Sequence, residues 1–193
     1  MPFISLPSGE QIGDSTLCYK YLQTHKGVPD IDAILSETER ASATAYKAWL
    51  EEYVYFLLMW DKWIDNWYTT RESFFAQSIP IYPLRVIVFN IIYRRISSML
   101  YTKGITRHSK GEIQGFIAES ARAMSVLVGD KGLFDGKKCS VSAFMLGLLV
   151  SIYEWPELNT SWIPEVEKYP NLKRWMERMV KEYFPERKLK YQM

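Results

Sequence analysis

The chain opens on a short alternation of apolar and polar positions and then changes to a helical period. Phe3 to Leu6 reads as a short strand, Pro7-Ser8-Gly9-Glu10 as a tight turn, and Gln11-Ile12 as the returning strand. Asp14 or Ser15 stands where a helix cap is needed, and the helix behind it runs to about His25 and stops at Gly27. A lone hairpin with one helix buries too little to persist in water, so this unit must pack on the rest of the chain.

From Ser36 onward every periodic segment is helical. Ser36-Glu37-Thr38-Glu39 is a capping box, in which the hydroxyl and the carboxylate each satisfy a free amide. Apolar positions then keep helical spacing from Ala41 to Ile64, and a helix of that length is expected to bend around a core. Residues 67–79 read as irregular. Pro83 suits a first helical turn, and a helix is expected from there to about Lys103, ending at Gly104. Its middle, Val86 to Ile92, is apolar nearly all round and could be a strand by itself, but Tyr93 to Leu100 extends it past strand length. Ser109-Lys110-Gly111-Glu112 is a second capping box, opening a helix to Val128 with Gly129 as its stop. A turn-rich stretch, Gly132 to Lys138, leads to a buried helix over 140–153. A short helix over 162–169 follows, and then a last helix that Asn171 is expected to cap and that ends before Pro185.

Composition sharpens this picture. Hydrophobic residues make up 48% of the 193 and aromatics 15%, enough for a sizeable core and for an amphipathic cleft with polar tips. Net charge is +2, with 24 basic and 22 acidic residues dispersed, which argues against a nucleic-acid footprint. The basic cluster Arg187, Lys188 and Lys190 reads as a solvated tail. Cys18 and Cys139 stand alone, without metal-ligand or dithiol spacing, so reduced thiols, a cytoplasmic location and no metal are expected. No secretory leader and no membrane span are read.

This order of elements resembles the glutathione transferase superfamily, and within it the failed axon connections and metaxin-like branch. Met1-Pro2-Phe3-Ile4 resembles the approach to the third strand of the family's thioredoxin-like domain, where a cis-proline stands. Gly9-Glu10-Gln11-Ile12-Gly13-Asp14-Ser15 resembles the fourth strand and the acidic-Ser turn after it. Leu35 to Ala41, Leu50-Glu51-Glu52 and Trp60-Asp61-Lys62-Trp63 resemble the first long helix. Arg107-His108-Ser109, Leu133-Phe134-Asp135-Gly136 and Tyr169-Pro170-Asn171-Leu172 resemble later landmarks, so the likeness spans the chain.

The resemblance implies a mainly α fold: a glutathione-transferase C-terminal-like helical bundle behind a short β-hairpin and helix that are the remnant of a thioredoxin-like fold. Residues 1–27 are then the thioredoxin-like segment, 28–35 a linker, 36–185 the helical domain and 186–193 a tail. In the family, the first strands and helices carry the Tyr, Ser or Cys that activates glutathione. The sequence begins after that point, so ordinary glutathione conjugation is not expected of it. A second departure lies in the buried helix, where the family's Thr or Ser followed three residues later by Asp is replaced by Cys139 and Ser142. A weaker cap follows, with Ser140 as a substitute and a cost of about 1 kcal/mol.

Candidate site residues follow from both readings. Pro2, Asp14 and Ser15 are the positions the resemblance assigns to glutathione, and a hydroxyl and amides at a helix start do favour a carboxylate. They can equally be no more than a helix cap. Tyr46, Tyr53 and Trp60, with Trp67 and Tyr68, are candidates for an aromatic cleft that takes a hydrophobic small molecule or a protein partner. Asp61 and Asp65 lie four apart on one expected helix face, which suits a cleft edge or a solvated surface better than a cation site. His25 and His108 have no nucleophile at catalytic spacing. Two functions remain open: a binding protein built on a transferase scaffold, and an enzyme, either a glutathione transferase or a repurposed scaffold that isomerises or cyclises a hydrophobic molecule. An exposed aromatic face would favour a homo-oligomer.

Overall fold

The computed structural model describes residues 3–186, so Pro2 and the basic tail lie outside the described residues. Strands β1 (Phe3–Ser5) and β2 (Gln11–Gly13) pair antiparallel with Ile4 opposite Ile12. Helix α1 (Ser15–Lys26) is capped by Asp14, whose carboxylate accepts from the amides of Thr16 and Leu17. Gly27 closes it in the left-handed conformation at φ 66°, where a Cβ would be strained. The expected linker contains one 3₁₀ turn, Ile31–Ile34, capped by Asp30.

The capping box forms as expected: Ser36 and Glu39 satisfy one another's backbone amides at the start of α2 (Glu37–Trp49). From there the rod does not stop near Trp67. It continues through α3 (Tyr55–Trp60), α4 (Trp67–Thr69) and α5 (Phe75–Ser78), joined by π-helical turns at Leu50–Val54, Asp61–Asp65 and Thr70–Phe74. The irregular reading of 67–79 is therefore corrected. Each wide turn shifts the apolar stripe, so a helix-period test loses the pattern although the backbone stays helical. Asn66, at φ −105° and ψ 32°, marks the bend.

Helix α6 (Tyr82–Thr102) runs back along the rod and buries Phe89 against Trp63 and Phe75, with ring centroids 5.5–6.0 Å apart. Its other side is bare: Leu84, Ile87 and Ile91, spaced 3 and 4 apart, are 47–58% exposed.

Helix α7 (Lys110–Val128) carries the second capping box, Ser109 with Glu112, and buries the stripe Ile113, Ile117, Ala121, Met124, Val128. The turn α8 (Leu133–Gly136) holds Phe134 and Asp135 at positive φ. Helix α9 (Ser140–Glu154) is the centre of the bundle, with Val141, Met145, Leu149 and Ile152 fully buried. Each such side chain contributes about 1.5–3 kcal/mol of burial. Helices α10 (Trp162–Val166) and α11 (Pro170–Tyr183) pack on α7 and α9.

Two capping expectations need correction. Asn171 does not cap α11, whose first turn begins at Pro170. Its side chain donates instead to the carbonyls of Ser125 and Gly129, closing the end of α7. Ser140 does not replace the weak cap of α9 as an acceptor. Its amide and hydroxyl both donate to Asp32, 108 residues away in sequence, at 2.8 and 2.7 Å.

Candidate functional site

The N-terminal unit and the bundle meet in a cleft with two arms. The polar arm, about 530 Å³, lies between α1, the 3₁₀ turn, α2 and α9, and its walls include Ser15, Lys20, Arg40, Lys47 and Glu51. The apolar arm, about 340 Å³, runs between α9 and α11 over Cys139, Leu146, Gly147, Val150 and Val180. Ile31 and Ala143 line both arms, so the two meet at that point.

One part-buried and several exposed hydrogen bonds tie the walls of the polar arm together. Lys47 Nζ reaches Thr16 Oγ1 at 2.6 Å and lies 3.7 Å from Glu51. Arg40 pairs with Asp30 at 3.1 Å, and Lys20 pairs with none of the described carboxylates. The Tyr19 hydroxyl donates to the Pro29 carbonyl and accepts from the Ile31 amide, which fixes the turn beneath it. The Thr16 amide, with that of Leu17, holds the Asp14 carboxyl below its ordinary range. Asp14 thereby occupies the helix amides itself, at a φ of 76°. Ser15 is exposed at the mouth. Cys18 is buried, and its thiol donates to the Ile12 carbonyl at 3.2 Å.

The aromatic and acidic candidates do not converge on one cleft. Tyr46 stacks on Phe134 and, with Trp49, lines a separate open groove between α2 and α7. Tyr53 leans on Phe116, and its burial raises its hydroxyl pKa, with Glu119 adding to the effect. Trp60 lies in the main core at 5% exposure. Asp61 is fully buried: Oδ2 accepts from the amides of Ser161 and Trp162, capping α10, and Oδ1 accepts from Asn66. Burial pushes its pKa up to about 6 against the pull of those donors. Asp65 pairs with Lys110 of α7 at 2.6 Å. Asp61 is buried and Asp65 is paired, so the solvated or cleft-edge pair expected from a spacing of four does not form, although the Asp65 charge adds to the upward shift at Asp61. His25 stacks on Tyr21, and His108 meets Phe116 edge-on. Among the described residues no group of three His, Cys, Asp or Glu is placed to hold a metal ion, and no helix is long and apolar enough to cross a membrane.

Asp30, Asp32, Ile31 and Lys47 were not singled out in the sequence. Only the position of a short acidic segment, Pro29-Asp30-Ile31-Asp32, between two helical units could have drawn attention to the first three.

A helical bundle joined to a hairpin–helix remnant of a thioredoxin-like domain, with a cleft at the joint, defines a glutathione-transferase-like fold. Comparison with known proteins agrees with that class. Residues 1–68 match the glutathione S-transferase N-terminal domain family. Over 188 residues, covering 95% of this chain and 77% of the relative, the sequence is 27% identical to the isoprene-epoxide–glutathione S-transferase of Rhodococcus sp. (strain AD45). No solved structure matches the chain. These likenesses support placement in the glutathione transferase superfamily.

Proposed function

We propose that this protein is a glutathione-transferase-like binding protein that takes an amphipathic small molecule in the two-armed cleft. The observation that carries the reading is the junction at Ile31 and Ala143, where a polar arm walled by Lys20, Arg40 and Lys47 meets an apolar one. Glutathione bearing an apolar substituent has that shape: a charged peptide head for the first arm and a hydrocarbon for the second. The relative's name records glutathione as its co-substrate, and glutathione is the head group assigned here. Binding is favoured over conjugation because three of the hydroxyls and the thiol nearest the polar arm are engaged, while the Ser15 hydroxyl, exposed at the mouth, is the group the enzyme reading keeps. Thr16 takes Lys47, Tyr19 takes the connector, Ser140 takes Asp32 and Cys18 takes Ile12.

Titration calorimetry with glutathione and S-hexylglutathione tests this. A buried methylene is worth about 0.8 kcal/mol, so a half-covered hexyl chain should tighten binding roughly 50-fold. Gly147→Phe fills the apolar arm, since a Cβ at Gly147 meets nothing within 4 Å. It should abolish the hexyl advantage and leave glutathione itself unaffected. Equal affinities of the two ligands for the unsubstituted protein would overturn the assignment.

The enzyme reading keeps a further support, the likeness to a transferase over 95% of this chain and 77% of the relative. Turnover of glutathione with a generic electrophile, well above the solution rate, would decide for it. We assign the chain to the failed axon connections and metaxin-like branch, in the cytoplasm. We also assign a homodimer through the bare face of α6 with Trp67 and Tyr68, all of them exposed apolar side chains. A monomer in light scattering would refute the dimer.

A further inference from the structure

We propose that Asp32 is a positioning residue that latches the N-terminal unit, residues 3–35, onto the helical bundle by capping α9 from outside that helix. The position that should cap α9 from within is Cys139, and it makes no side-chain bond to the helix amides. Its thiol lies 3.1 Å from Ser142 Oγ instead. The first amide of α9 and the Ser140 hydroxyl turn outward to the two oxygens of Asp32, a bidentate contact to a charged acceptor. Asp32 is itself fixed. Its amide donates to Asp30 Oδ1 at 3.0 Å, and Asp30 is held by Arg40 and Gln23. Tyr19 then ties the same turn to α1 through Pro29 and Ile31. An unbroken line of hydrogen bonds runs from α1 through the 3₁₀ turn to the centre of the bundle.

Apolar packing does not supply that joint. From the whole N-terminal unit only Leu35 belongs to the main hydrophobic core, and the hairpin packs chiefly on α1. The helix end that lacks its own acceptor and the unit that lacks its own core are therefore joined at Asp32, beside the Lys47–Thr16 and Arg40–Asp30 contacts that α2 makes with the same unit. The amide that α9 would otherwise leave unsatisfied is used to hold the 3₁₀ turn, and through it α1, in place. Since Asp32 and Ser140 also line the polar arm, the latch fixes the distance between its two walls. The inference concerns the joint and stands whether or not that arm binds glutathione.

Two variants separate a latch from an ordinary cap. Asp32→Ala removes the acceptor. Ser140→Pro removes both donors, yet proline is favoured at a first helical position and Cys139, at φ −143° and ψ 168°, already has the extended backbone that a following proline requires. Hydrogen exchange of each chain, read by mass spectrometry on peptides from 15–35 and from α9, is the measurement. Both variants should speed exchange over 15–35 by roughly tenfold or more, the loss expected for a charged hydrogen bond. In Ser140→Pro the amides of α9 should stay as protected as in the unsubstituted protein. Unchanged protection of 15–35 in Ser140→Pro would overturn the proposal. So would a loss over α9 as large as the loss over 15–35, because Asp32 would then serve the helix and not the joint.

Discussion

Asp61→Asn should leave the protein about as stable at pH 7 as it is now, whereas Asp61→Ala should cost about 3–5 kcal/mol. Alanine strips the acceptor from two amides at the start of α10 and from the Asn66 side chain, all grouped around a carboxyl that is itself fully buried. Each orphaned donor costs about 1–3 kcal/mol. Asparagine keeps an acceptor for the amides and removes a buried charge. That charge is expensive: the carboxyl is pushed from 3.8 up to about 6, and two units correspond to about 3 kcal/mol against folding when it is ionised. The sign follows from the folded state binding the proton more tightly than the unfolded one. The penalty is complete above pH 6 and shrinks as pH falls toward 4, so this group makes the protein more stable on acidification from pH 7 to 5. Opposing groups act lower. The Thr16 amide at Asp14, the Asp32 amide at Asp30 and the Lys137 ammonium at Glu39 hold those carboxyls down, so their contribution is lost only as pH drops below about 4.5. Urea unfolding followed by tryptophan fluorescence at pH 5, 6 and 7 reads the difference. The reasoning fails if Asp61→Asn is as damaging as alanine at pH 7 while its pH slope parallels that of the unsubstituted protein.

Two further outcomes test the packing around the long-range caps. Gly132→Ala should destabilise by about 2–4 kcal/mol in thermal unfolding, because φ is 110° and a Cβ would sit 2.8 Å from the Trp175 ring nitrogen. Asn171→Ala should cost about 1–2 kcal/mol and loosen the last turn of α7 in hydrogen exchange, since the Ser125 and Gly129 carbonyls lose their donor.

What could be read directly from the amino-acid order is the set of structures closed within three or four residues. Both capping boxes, the Pro7–Glu10 turn, the Asp14 cap and the Gly27 and Gly104 stops involve neighbours whose chemistry is sufficient by itself. The mainly helical class followed from the period of the apolar residues, and the hairpin–helix start from its turn residues. Of the walls of the polar arm only Ser15 had been singled out as a site residue in the sequence, and Asp14 beside it caps α1.

The rest was settled by contacts between residues far apart in the chain. Asp61 meets Ser161, Asp32 meets Ser140 and Asn171 meets Ser125, at separations of 46 to 108 residues. A carboxylate looks the same in sequence whether it caps its own helix, caps another or faces water, and only the packed bundle decides which amides are left without acceptors. The same holds for Trp60 and Tyr46, where packing puts one ring in the core and leaves the other partly buried on a groove. Local hydrogen bonds are chosen by neighbours, but burial is chosen by what the whole chain brings to each face.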